Sequence, residues 1–369
     1  MRILHVMNNL SDRGNGIINL AVDLAIEQRK AGHTVAFASG RGGYESLLRT
    51  YGIAHYNLDF ATSPRKLLAT SSEFRRILKR FQPEIIHAHM RMGLIIAWLG
   101  TRLRRIPLVA HLHNVHDRTS ILMGLADRII AVSVSVSRSM RKQGIGRSKL
   151  RVVLNGTLNS ERAAQQGIVT PAALQRPAIT TVAGLNHRKG IEELILAFNM
   201  IAEEFTAAHL YLVGDGPERK LFEQQASESP FRSRIHFEGF QRKPQAYMLS
   251  SDIFVLASRR ESFGLVLTEA REAGCAIVAS HIDGTSEALE GGEAGMLIPV
   301  RNPAALANAL RLLLGNDELR RDWQKKARQN IEAFTTTRMA EEVEKIYREL
   351  TPSCASEATV QGVKVRAQE

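Results

Sequence analysis

Short apolar runs alternate with longer segments of helical period along most of the chain. The first run is residues 2–7, and others follow at 34–38, 53–58, 84–88, 107–111 and 128–132. Runs of this length, bounded by polar or glycine-bearing turns, read as buried strands. Residues 17–31 instead place Leu20 and Leu24, and Ala21 and Ala25, at helical spacing and stop at Gly32, which suits a helix end. Strands that alternate with helices predict a parallel sheet covered on both faces. The pattern starts again with strands at 178–183, 209–213, 234–237 and 253–257, a helix at 265–273, and helical period from 304 to about 350. Residues 157–177, rich in Thr, Asn, Ser, Gln and Pro without periodicity, separate the two repeats and read as a linker. The expectation is an α/β chain with domains at 1–156 and 178–334, and a polar, disordered tail at 351–369.

Size agrees with two domains, because 369 residues exceed what one hydrophobic core usually organises. No apolar run approaches the roughly 18–20 residues of a spanning helix, and polar Asn8 and Asn9 follow the first strand at once. The sequence therefore predicts a cytoplasmic protein. Two cysteines, Cys275 and Cys354, exclude a disulfide framework or a multi-cysteine metal site. Charge changes the picture more. Residues 1–155 carry 24 Lys and Arg against 9 Asp and Glu, while the remainder carries 25 against 28, so the net charge of +12 comes entirely from the first half. That half is suited to an anionic partner: nucleic acid, a membrane surface or a phosphorylated acceptor. The basic, amphipathic segment 64–81, with Arg65, Lys66, Arg75, Arg76, Lys79 and Arg80, could lie on an anionic membrane.

Candidate chemistry collects where strands end. Between the strand at 253–257 and the helix at 265–273 lies Ser262-Phe263-Gly264, whose glycine lets the backbone approach a ligand and whose helix start offers free N–H groups to an anion. Glu261 precedes this helix and Glu269 lies one turn inside it, so two carboxylates can reach hydroxyls beside a helix-tip phosphate. Together they describe a site for a nucleotide sugar. Arg188 and Lys189, at the mouth of another strand–helix turn, suit a diphosphate. Near the start, Gly16 closes a polar loop after the first strand, as in a Rossmann-like unit. Histidines follow two strands of the first half, as His87 and His89, and as His111 and His113; their spacing is not that of a structural zinc site.

The segment from Glu261 to Glu269, with the Ala-Gly-Cys-Ala-Ile-Val-Ala-Ser that follows, closely resembles the signature of retaining glycosyltransferases of family 4. The resemblance runs from about residue 1 to about residue 350. It implies a GT-B fold, two Rossmann-like domains facing across a cleft, with the helix at about 335–350 packing back on the first domain. It also implies transfer of a sugar from a UDP- or GDP-sugar to a glycan or lipid-linked acceptor with retention of configuration, as in cell-envelope polysaccharide or lipopolysaccharide synthesis. By the same resemblance His113 and Glu261 are the catalytic residues and His89 and His111 lie on the acceptor side. Donor binding falls to Gly16, Arg188, Lys189, Gly214, Phe240, Ser262, Phe263, Gly264, Leu265, Val266 and Glu269. No metal or other cofactor is expected, and no Asp-x-Asp occurs in the chain. Two departures stand out. Asn15 and Ile18 replace the first glycine and the glutamate of the family's Gly-Gly-x-Glu, and Gly184 replaces its arginine. The basic half would let the enzyme dock peripherally on the cytoplasmic face of the inner membrane. A non-catalytic nucleic-acid- or membrane-binding protein on the same fold is the alternative.

Overall fold

The computed structural model describes residues 1–12, 14–60, 64–101, 104–114, 118–165 and 167–351. The tail expected from residue 351 thus lies outside the described residues beyond Thr351, as do the side chains of residues 64–67 in the basic helix Pro64–Phe81.

Two compact units result, each built on one sheet in which every strand pairing is parallel. The first comprises Met1–Val132, Val136–Leu154 and the terminal segment from Thr337. Its strands are β1 (Arg2–Asn9), β2 (Thr34–Gly40), β3 (Ala54–Asn57), β4 (Ile85–Ala88), β5 (Leu108–Leu112), β6 (Arg128–Ala131) and β7 (Leu150–Val152), in the order β3-β2-β1-β4-β5-β6-β7. The second unit comprises Ser133–Ser135 and Asn155–Thr336. Its strands are β8 (Ala178–Val182), β9 (His209–Val213), β10 (Ile235–Gly239), β11 (Ile253–Leu256), β12 (Ala276–Ser280) and β13 (Met296–Ile298), in the order β10-β9-β8-β11-β12-β13. Each order reverses direction once, between β1 and β4 in the first sheet and between β8 and β11 in the second. In sheets of this kind ligands collect beyond the strand ends at that reversal.

Burial explains the strands. β4, β5, β11 and β12 are buried at every position, as strands covered on both faces must be. The stretch 157–177 is not free chain, because Ala172 donates its N–H to Ala246 O, Ser250 Oγ donates to Ala172 O, and Gln175 N donates to the Tyr211 hydroxyl. The continuous helical period from 304 is cut in three: Pro303–Gly315, Asp317–Ala327 and Thr336–Leu350. Asn302 and Asn316 cap the first two helices, their side chains accepting from the N–H groups of Ala305 and Leu319. The last helix joins the first unit, with Tyr347 fully buried there. No described helix is long and apolar enough to cross a membrane.

Candidate active site

In the second unit the reversal point joins two loops far apart in sequence. The turn after β8 carries Arg188 and Lys189 and the loop after β11 carries Glu261, and these two strands are hydrogen-bonded neighbours. Lys189 Nζ donates to Glu261 Oε2 at 2.5 Å, with both side chains about one-eighth exposed. Ser258 Oγ donates to the same oxygen at 3.4 Å. The two loops are pinned by backbone and side chains alike. Arg259 donates its N–H to Arg188 O at 2.7 Å and its guanidinium to Glu193 and Glu192 at 2.7 and 2.8 Å. Gly190 makes the approach possible: its φ is +66°, and a Cβ there would stand 1.9 Å from Ala257 O.

Gly264 caps the helix Leu265–Ala273 in a left-handed conformation, φ +86° and ψ +63°. It turns the chain so that the first N–H groups of the helix open at the strand ends, where the macrodipole favours an anion. Leu265, Val266 and Glu269 are partly exposed on this helix, whereas Ser262 is buried with no partner for its hydroxyl. The Phe263 ring is buried, with its centroid 6.0 Å from that of Phe334, which leaves its backbone as the part that faces the strand ends. Arg188 is exposed beside Lys189. Gly214 follows β9, donating its N–H to Gly239 O, while Phe240 follows β10 at the sheet edge with its ring half exposed. Phe240 is therefore two strands away from β8, on the order of 10 Å at the usual strand spacing.

In the first unit, Gly16 opens the helix Gly16–Lys30, and Asn15 caps it by accepting from Ile17 N at 3.0 Å. The asparagine at the first family glycine thus takes over the helix N-cap. At the reversal point stand five imidazoles. His5 on β1 is in register with His87 on β4; His89 follows β4, His111 lies on β5 and His113 just beyond it. Residues two apart on a strand share a face, and the rings stack accordingly: centroids of His87 and His89, and of His111 and His113, are 4.3 Å apart. His5, His87, His89 and His111 are almost fully buried and His113 partly exposed. Burial lowers the pKa of all five, that of His5 to about 4, so the rings are neutral at pH 7. Neither ring nitrogen of His111 has a partner.

One ring nitrogen each from His5, His87 and His89, and again from His89, His111 and His113, lie within 4.8 Å of one another. Spacing alone would admit an ion. In the first set, however, the facing nitrogens of His5 and His89 already hydrogen-bond each other at 2.8 Å, and in the second those of His89 and His113 do so more loosely at 3.4 Å. Sequence reasoning missed His5, Gln28 and Tyr347, which complete this cluster. The available signal was a polar residue inside the apolar run Ile3-Leu4-His5-Val6.

Comparison with known proteins adds what geometry does not. The family described as glycosyl transferases group 1 matches residues 168–330, and that described as glycosyltransferase family 4 matches residues 14–157. N-acetyl-alpha-D-glucosaminyl L-malate synthase of Bacillus anthracis is 25% identical over 92% of this chain and 90% of its own. A lipopolysaccharide core biosynthesis glycosyltransferase of Rhizobium meliloti, LpsD, is 28% identical over 66% of this chain and 69% of its own. The crystal structure of HepE of Anabaena in complex with UDP superposes with a TM-score of 0.80 at 21% identity, covering 95% of this chain and all of the other.

Proposed function

The chain belongs to the group 1, family 4 glycosyltransferases and has their GT-B fold, and on that premise we propose that it transfers a sugar from a nucleoside diphosphate sugar to a glycan or lipid-linked acceptor, with retention of anomeric configuration. The observation that carries the reading is the Lys189–Glu261 pair at the β8–β11 reversal, beside the helix start opened by Gly264. A bound donor would exchange the internal pair for two external ones. Lys189, with Arg188 and the helix N–H groups, takes the diphosphate, whose charge grows as the bond to the anomeric carbon breaks. Glu261 accepts hydrogen bonds from hydroxyls of the transferred sugar, and Glu269 from those of the ribose. Gly214 and Phe240 line the nucleotide end. For the first unit the proposed roles are His113 towards the transferred sugar, and His89 and His111 on the acceptor side.

HepE carries UDP, which makes the UDP series the first donors to try. The Rhizobium relative's name favours an acceptor in envelope lipopolysaccharide synthesis. The excess positive charge of the first half, with Arg75, Arg76, Lys79 and Arg80 on the helix Pro64–Phe81, supports docking on the cytoplasmic face of an anionic membrane. The test is a thermal shift of the purified protein with UDP, GDP, ADP and their sugars, with and without chelator, followed by NMR of the product anomer. A ligand at 100 times its dissociation constant stabilises by about 2.7 kcal/mol, which is readily seen. Absence of any shift would reject donor binding and favour the non-catalytic alternative. Equal sedimentation with neutral and anionic liposomes would reject membrane docking.

A further inference from the structure

Three of the five imidazoles, His5, His89 and His113, form one hydrogen-bonded chain whose direction is set at its inner end. Gln28 Oε1 lies 2.7 Å from His5 Nε2, and an amide oxygen can only accept, so His5 carries its proton on Nε2. A neutral ring then has a bare Nδ1. That nitrogen stands 2.8 Å from His89 Nε2, which must donate to it. His89 in turn has a bare Nδ1, 3.4 Å from His113 Nε2 in the loosest link of the chain. On its other side the amide is anchored by Tyr347: Gln28 Nε2 donates to the hydroxyl at 3.1 Å, and that hydroxyl lies 2.5 Å from His87 Nδ1. His5, Gln28, His87, His89 and Tyr347 are all buried, so water offers no competing partners.

We infer that Gln28 and Tyr347 act as positioning residues which, through His5 and His89, hold His113 as the tautomer protonated on Nε2 with Nδ1 as an open acceptor. Were the amide reversed, each proton in the chain would move to the other nitrogen of its ring, so a single side chain decides which face His113 shows. The outer nitrogen is then selective. It recognises a hydroxyl that donates, and rejects a group at the same place that can only accept. In this respect the inference rests on the proposed place of His113 beside the transferred sugar; the tautomer itself does not.

The test is nitrogen-15 NMR of histidine-labelled full-length protein at pH 7, without donor. His113, assigned from the spectrum of His113→Asn, is expected to show a protonated Nε2 and a bare Nδ1; the opposite pattern, or averaged resonances, overturns the inference. Gln28→Met, close in size but without hydrogen bonds, is expected to shift His113 towards a mixture, and Tyr347→Phe to do so more weakly. Both are checked for native fold by circular dichroism, and an unchanged His113 pattern in two folded variants overturns it as well. If transfer is observed, Gln28→Met should lower kcat by about tenfold, the scale of one hydrogen bond, at nearly constant KM. Because the NMR readout needs no substrate, failure to find a donor would reject the proposed function and leave the tautomer result standing.

Discussion

At the reversal point of the first sheet His5, His87, His89 and His111 are buried without charge, whereas at that of the second Lys189 and Glu261 face each other as an ion pair. The second unit goes further with Arg271, which is fully buried and donates to the carbonyls of Ala288, Ala327 and Gln329 and to Glu290. Both units put polar side chains at or near strand ends, and the physical solutions differ. Neutral rings need no counter-ion, and they can be linked into a chain with one direction. An ion pair keeps two charges ready to change partners, as a site for a diphosphate beside sugar hydroxyls requires. On the proposed function, the first unit would recognise by hydrogen-bond polarity and the second would stabilise charge.

Acid is the strongest way to separate the two. The folded pKa of each buried imidazole lies below the unfolded value near 6.5, so the unfolded chain binds more protons in the window between them. The stability is therefore complete above about pH 6.5 and falls as the pH drops towards the folded values. Between pH 7 and 5 His5 alone removes about 2 kcal/mol, and His87, His89 and His111 act in the same direction. In the second unit the histidines with lowered pKa, His209 and His236, are only partly buried. Hydrogen exchange at pH 5 should show the first unit opening before the second; simultaneous opening would undo the comparison.

Removing the buried charge of the second unit comes next. Arg271→Met should cost about 3–5 kcal/mol, because Glu290 and three carbonyls lose their donor; a fall in melting temperature confined to one or two degrees would contradict the account. Glu261→Gln and Lys189→Met sharpen the functional side. Each is expected to lower transfer by about 10²–10³-fold while costing only about 1–2 kcal/mol of stability, and wild-type turnover in either would reject the roles given to the pair. The smallest effect belongs to the surface of the first unit. Glu349 bridges Arg128 and Arg151 at 3.0 and 2.7 Å but is about one-third exposed, so Glu349→Ala should cost less than about 1 kcal/mol in denaturant titration and still less at high salt.

Much of the fold was legible in the sequence because buried parallel strands must be apolar on both faces, which makes β4, β5 and β11 visible as short hydrophobic runs. The break at Asn316 was read through as continuous helical period, although that asparagine caps the helix that follows it. The candidate loops were legible for a similar reason, since glycines, adjacent cations and spaced carboxylates have few uses at a strand–helix junction. The burial of the Phe263 ring against Phe334 was not legible, because the partner lies 71 residues away in sequence. His5 was passed over because one histidine in a hydrophobic strand carries no sign of its neighbours.

The sequence by itself determined local matters: which runs become strands, where helices are capped, and which residues can carry charge or accept a hydroxyl. Tertiary structure decided the rest. Lys189 and Glu261 are 72 residues apart, and Gln28 and Tyr347 are 319 apart; only the pairing of β8 with β11 and the return of the last helix bring them within hydrogen-bond distance. Whether an imidazole is charged, and which of its nitrogens holds the proton, depends on the water it loses and the partner it meets, and both are properties of the folded chain.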